Sequence, residues 1–136
     1  MKEIKLDFKD RNVGQIPMSI SYPGIYVVFA YDDSRVLHVW ELLYIGAADN
    51  VREAYDTNPH RAEWDKHVTE RNMKLVIYTA QLGLEENQMA KDALVYKFQP
   101  IMQSEGLASY GNEDVAIVVE GRLMAAFGSF VQKKNV

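Results

Sequence analysis

Residues 23–46 read PGIYVVFAYDDSRVLHVWELLYIG, two apolar runs joined by a polar turn, with a tyrosine near each outer end. Pro23-Gly24 interrupts the preceding chain, and Ile25 to Tyr31 then has the aromatic and β-branched content of a strand. Every position in that run is apolar, so both of its faces need cover. Asp32-Asp33-Ser34-Arg35 supplies a turn, and Leu37 to Ile45 returns. An antiparallel pairing that sets Tyr26 opposite Tyr44 also sets Val28 opposite Leu42 and Ala30 opposite Trp40. Both phenols then share one face with His38, Trp40 and Leu42, while Leu37, Val39, Glu41, Leu43 and Ile45 take the other.

Outward from this hairpin, Ile4, Leu6 and Phe8 alternate with Lys5 and Asp7 as a short edge strand would, and Asn12 to Pro17 reads as a loop. After Gly46, Asp49 or Asn50 offers a cap to a helix from Val51 to about Thr57, which Asn58-Pro59 ends. His60 to Arg71 is a second helix, since His60, Trp64, His67 and Val68 fall on one face. Lys74 to Gln81 has strand composition, and Glu85 to Phe98 is a helix with Ala90, Ala93, Leu94 and Phe98 at helical spacing, stopped by Pro100. Ser104 to Glu113 is a loop. Val115–Glu120 and Arg122–Phe130 then read as a second hairpin turning at Glu120-Gly121, apolar on both faces. The expected fold is α+β: a small central antiparallel three-stranded sheet flanked by helices, with an extra C-terminal β-hairpin.

With 136 residues, 48% hydrophobic and 25% charged, the chain fits one domain with a substantial core. Its core spans about 16–103 and the hairpin extension about 114–131. No run reaches the roughly eighteen apolar residues of a membrane span, and the N-terminus has no apolar signal stretch, so no membrane association and a cytoplasmic address are expected. The absence of cysteine excludes disulfides, thiolate metal sites and cysteine nucleophiles. A net charge of -4 argues against a surface built for tight phosphate-backbone binding. His60, Glu63 and His67 lie near one helix face, but their spacing is not that of a His-Glu-x-x-His zinc site.

Gly24-Ile25-Tyr26 and Tyr44-Ile45-Gly46, with a helix start straight after, resemble the two tripeptides that name the GIY-YIG endonuclease superfamily. The resemblance runs from about Ile16 to Gln103. It includes Asp49-Asn50-Val51-Arg52 at the first helix, Trp64 with His67, and Leu94-Val95 followed by Pro100. It implies that Tyr26 and Tyr44 position and activate a water. It also implies an arginine on the first helix to neutralise the scissile phosphate, and a glutamate on the last long helix to bind a divalent metal. Here the arginine position, eight residues beyond Gly46, is Ala54, and the glutamate position, nine before Pro100, is Lys91. A family histidine falls on Asn58 and a family asparagine on Gln103.

Neighbouring residues offer substitutes. Arg52 is two residues from Ala54, about 200° around a helix, Arg61 lies beyond Pro59, and Asp92 adjoins Lys91. Three functions follow. The first is a degenerate GIY-YIG-like domain that has lost catalysis, needs no cofactor, and binds a protein or, weakly, nucleic acid. The second is a Mg²⁺- or Mn²⁺-dependent DNA endonuclease using Tyr26, Tyr44, Arg52 or Arg61, and Asp92. The third is a structural module forming homo-oligomers, with a homodimer through the C-terminal hairpin as the expected assembly.

Overall fold

Two sheets rather than one organise the computed structural model, which describes residues 1–32, 34 and 38–136. The element order is β1 (Lys2–Phe8), β2 (Asp10–Val13), β3 (Gly24–Asp32), β4 (Val39–Ala48), α1 (Val51–Asp56), α2 (Arg61–Arg71), β5 (Lys74–Gln81), α3 (Leu84–Phe98), β6 (Val115–Gly121) and β7 (Phe130–Gln132). The four-stranded sheet runs β2-β5-β3-β4 and is antiparallel throughout. It contains the three strands expected, with β3 between β4 and β5, and adds β2, which overlaps the loop expected from Asn12 to Pro17. The polar sequence of β2 carries no strand pattern; only its pairing with β5 makes it one.

The hairpin register differs from expectation by two residues. Tyr26 stands opposite Gly46 and Val28 opposite Tyr44, so parity is kept and the phenols still share a face. Between Val28 and Phe29 the register shifts, and beyond it Phe29 pairs with Leu42, Ala30 with Glu41 and Tyr31 with Trp40. One extra residue on β4 forms a bulge that reverses the facing of everything beyond it. Trp40 and Leu42 therefore lie with Phe29 and Tyr31, on the side opposite Tyr44. Asp33, Arg35 and Leu37, assigned to the turn and the return strand, lie outside the described residues.

β3 is buried on both faces, as its unbroken apolar run requires. One face packs against α1 and α2 through Val51, Tyr55, Trp64 and Val68, together with Ile16 and Ile20. The other packs against Ala90, Ala93, Leu94 and Val95 of α3 and against the second sheet. Each large apolar side chain removed from water in this way stabilises by about 1.5–3 kcal/mol. The helices start and stop for local reasons. Asn50 accepts a hydrogen bond from the Glu53 amide at 3.1 Å to cap α1. Asn72 and Gln99 take left-handed conformations after α2 and α3.

The second sheet has the order β1-β6-β7. The alternation in β1 was legible, but its partner is β6, parallel, with Ile4 beside Ile117 and Leu6 beside Val119. The tail is not the tight hairpin expected. β6 runs through Gly121, whose φ of +79° and closeness to Asp7 Oδ1 and Phe8 O leave no room for a side chain. Residues 122–127 then form turns, and only Phe130–Gln132 returns to pair with β6. Val115, Ile117, Val119, Leu123 and Phe127 are buried, whereas Ala116 and Val118 are half-buried and Met124 is exposed, so the tail is apolar inward on one face only.

Candidate functional site

Tyr26 and Tyr44 meet on the face of the four-stranded sheet covered by α1 and α2. Their ring centroids are 6.1 Å apart with planes at 29°. Gly46, directly across from Tyr26, lets the Tyr26 ring lie over the β4 backbone; a Cβ there would overlap Tyr26 Cζ. The two tripeptides thus interlock, one tyrosine over the other's glycine. Tyr26 is 3% exposed. Burial, only partly offset by Asn58 Nδ2 donating to its hydroxyl at 2.9 Å, pushes its phenol up to about 12. Asn58, beyond the end of α1, is itself fixed, since its Oδ1 accepts from the His60 amide at 2.8 Å.

Tyr44 is less buried and opens into a recess of about 130 Å³ shared with Pro59, His60, Lys91, Gln103 and Glu105. His60 and Trp64 flank the Tyr44 ring at 5.8 and 5.2 Å. α3 points Lys91 into this recess, with its ammonium 3.5 Å from Asp92 Oδ1. Asp92 is otherwise occupied: Gln88 Nε2 and Asn112 Nδ2 donate to its two oxygens at 3.0 Å each. It does not line the recess. Gln103 grips the edge of β4, donating to Ile45 O at 2.8 Å and accepting from the Ile45 amide at 2.9 Å.

The substitute arginines do not reach the recess. Arg52 donates to Ser21 Oγ and faces Asp56 across the turn of α1. Arg61 lies over the Tyr55 ring at 4.2 Å and ion-pairs with Asp56 and Asp65. Ala54 borders a separate hollow with Ala48, Asp49, Asn50 and Glu53. The zinc candidates part as well: His67 Nε2 pairs with Glu41 Oε1 at 2.9 Å, while His60 faces Glu63. Among the described residues no three or more His, Asp or Glu side chains converge as a metal ion would need.

Sequence reasoning missed two members of this region. His60 was read only as a helix face and zinc candidate, yet it stands before α2 at the wall of the recess. Asn87, one turn before Lys91 on α3, is buried and donates to Ala48 O at 3.2 Å, tying α3 to the end of β4. Its polarity on an otherwise apolar helix face was the available signal. Set beside protein-family models, curated proteins and solved structures, the chain matches none.

Proposed function

We propose that this chain is a GIY-YIG-like domain that has lost phosphodiester hydrolysis and serves as a binding module. The reading rests on Lys91. At the position where the resemblance implies a metal-binding carboxylate stands Lys91, which lines the recess together with Tyr44 and brings a positive charge that opposes a divalent cation. Asp92, the one carboxylate that a shift of a single residue would bring in, is engaged by Gln88 and Asn112 instead. Tyr26 keeps its proton far above neutral pH, so it is a hydrogen-bonding phenol rather than a ready base.

Metal assistance contributes several kcal/mol and a charge-stabilising group about 3 kcal/mol more. Without both, cleavage slows by about 10⁴-fold or more. The test is incubation of the protein with plasmid DNA and with RNA in Mg²⁺ or Mn²⁺. No nicking above buffer is expected; metal-dependent nicking that disappears in Tyr26→Phe would overturn the reading.

A further inference from the structure

The face of the four-stranded sheet away from Tyr26 and Tyr44 is only partly covered by α3 and the second sheet. Toward the β3–β4 turn it carries a groove of about 350 Å³ lined by Phe29, Trp40, Tyr78, Leu123 and Arg122. The bulge in β4 creates this groove, because it turns Trp40 to this side. Trp40 remains 43% exposed, although its ring stacks on Tyr31 at 4.0 Å and meets Phe29 edge-on at 5.6 Å. His38 continues the stack beyond Tyr31, with planes at 9°. A volume of this size suits one nucleobase with its sugar.

Two guanidinium groups border the groove. Arg11 Nε donates to Tyr78 Oη at 3.2 Å, and its Cζ lies 6.0 Å from the Trp40 ring. Arg122 Nε donates to Lys9 O at 3.0 Å. Among the described residues neither meets a carboxylate, whereas Lys2, Lys5 and Lys9 on the neighbouring surface each do. In a chain of net charge -4, two unmatched guanidiniums beside a stacked aromatic ladder form a site complementary to a flat ring carrying negative charge. A proline-rich peptide would use the aromatic wall and leave both cations unanswered. A duplex would offer no base face to Trp40, and its dense charge asks for a broader basic footprint.

We infer that this groove binds single-stranded nucleic acid, stacking one base on Trp40 and holding adjacent phosphates with Arg11 and Arg122. The affinity is weak and salt-dependent, because only about two phosphates are neutralised. This surface is remote from the Tyr44 recess, so it stands or falls separately from the loss of hydrolysis.

The chain has two tryptophans, and Trp64 is wholly buried, so quenching of emission by a ligand reports on Trp40. The experiment titrates the protein at low salt with a single-stranded DNA of roughly ten nucleotides, the length of about one binding site. The same strand as a duplex, adenosine monophosphate and a proline-rich peptide are titrated in parallel. Saturable quenching by the single strand alone is expected. Dye-labelled strand should bind Trp40→Ala about tenfold more weakly and Trp40→Phe nearly as well as the parent, as stacking predicts. Arg122→Gln, an exposed change that leaves packing intact, should lower the salt slope by about 0.7. Absence of quenching at millimolar strand, unchanged binding in both Trp40→Ala and Arg122→Gln, or equal quenching by duplex would overturn the inference. So would binding of the mononucleotide as tightly as the strand, or preference for the peptide.

Discussion

Tyr26 owes its position to an absent side chain. Its ring occupies the space above Gly46 that any Cβ would claim, and it is buried in a close-packed core that resists its displacement. Gly46→Ala should therefore destabilise by about 2–3 kcal/mol, the cost of overpacking a closed site. Urea unfolding of Gly46→Ala, Tyr26→Ala and the double variant tests the cause. The double variant should cost clearly less than the sum, because without the Tyr26 ring the added Cβ at position 46 has nothing to clash with; full additivity would show that the glycine matters for another reason. Lys91 is governed by charge instead. Lys91→Glu removes a repelling ammonium from the Tyr44 recess and supplies an oxygen ligand of the kind hard cations prefer. Calorimetry should show weak Mn²⁺ binding by this variant and none by the parent. If the parent binds Mn²⁺ and Asp92→Asn abolishes it, Asp92 holds the metal position and the endonuclease reading replaces the degenerate one. That Tyr26 and Tyr44 share one face was legible from strand parity, and Lys91 stands by Tyr44 in the recess whereas Ala54 borders a separate hollow. The partners of Asp92 were not legible, since Asn112 comes from a loop whose path no periodicity reveals.

At the scale of elements, β4 is an edge strand that the chain itself closes. After α3, the amides of Ile101 and Met102 donate to Leu42 O and Leu43 O at 3.0 and 3.1 Å, and the Gln103 side chain completes the row by pairing with both backbone groups of Ile45. A glutamine amide stands in for a strand residue here, which satisfies an edge that would otherwise invite another chain. Gln103→Ala leaves a buried amide and carbonyl without partners, at about 1–3 kcal/mol for each group. Hydrogen exchange should show the Ile45 amide losing protection well before those of β3; unchanged protection would mean that the segment is held by Ile101 and Met102 alone. The long elements β3, β5, α2 and α3 were legible because a regular apolar pattern or a strong breaker marks each of them. The β4 bulge was not. Leu42, Leu43 and Tyr44 hold no glycine or turn residue to announce it, and both sheet faces are apolar there, so hydrophobicity does not tell one parity from the other. That ambiguity hid the Trp40 groove.

Across the whole molecule, the pairing of β1 with β6 joins the two ends of the chain, and no local signal specifies it. Alternation in Ile4-Leu6-Phe8 and in Val115-Ile117-Val119 marks each as a strand with one buried face, but only the shared core decides that they lie parallel. Four phenols spread over both cores tie global stability to alkaline pH: Tyr110 in the core shared by the two sheets, and Tyr26, Tyr55 and Tyr22 in or against the core under α1 and α2. Burial is the first cause in each case: it raises the Tyr26 and Tyr110 phenols to about 12 and the Tyr22 and Tyr55 phenols further still. All four lie above the ordinary value near 10, so the folded protein holds these protons more tightly than the unfolded chain does. Their contribution is complete below about pH 10 and is lost as pH rises toward the folded values. The urea midpoint should stay level from roughly pH 7 to 9.5 and fall steeply above about pH 10, the onset of phenol ionisation in the unfolded chain. Tyrosinate absorbance gives the independent check. Tyr22, Tyr26, Tyr55 and Tyr110 should ionise only together with the loss of circular dichroism. Ionisation of these four near the ordinary phenol value, with the fold intact, would show that water reaches their hydroxyls and that the packing around them is looser than their burial implies.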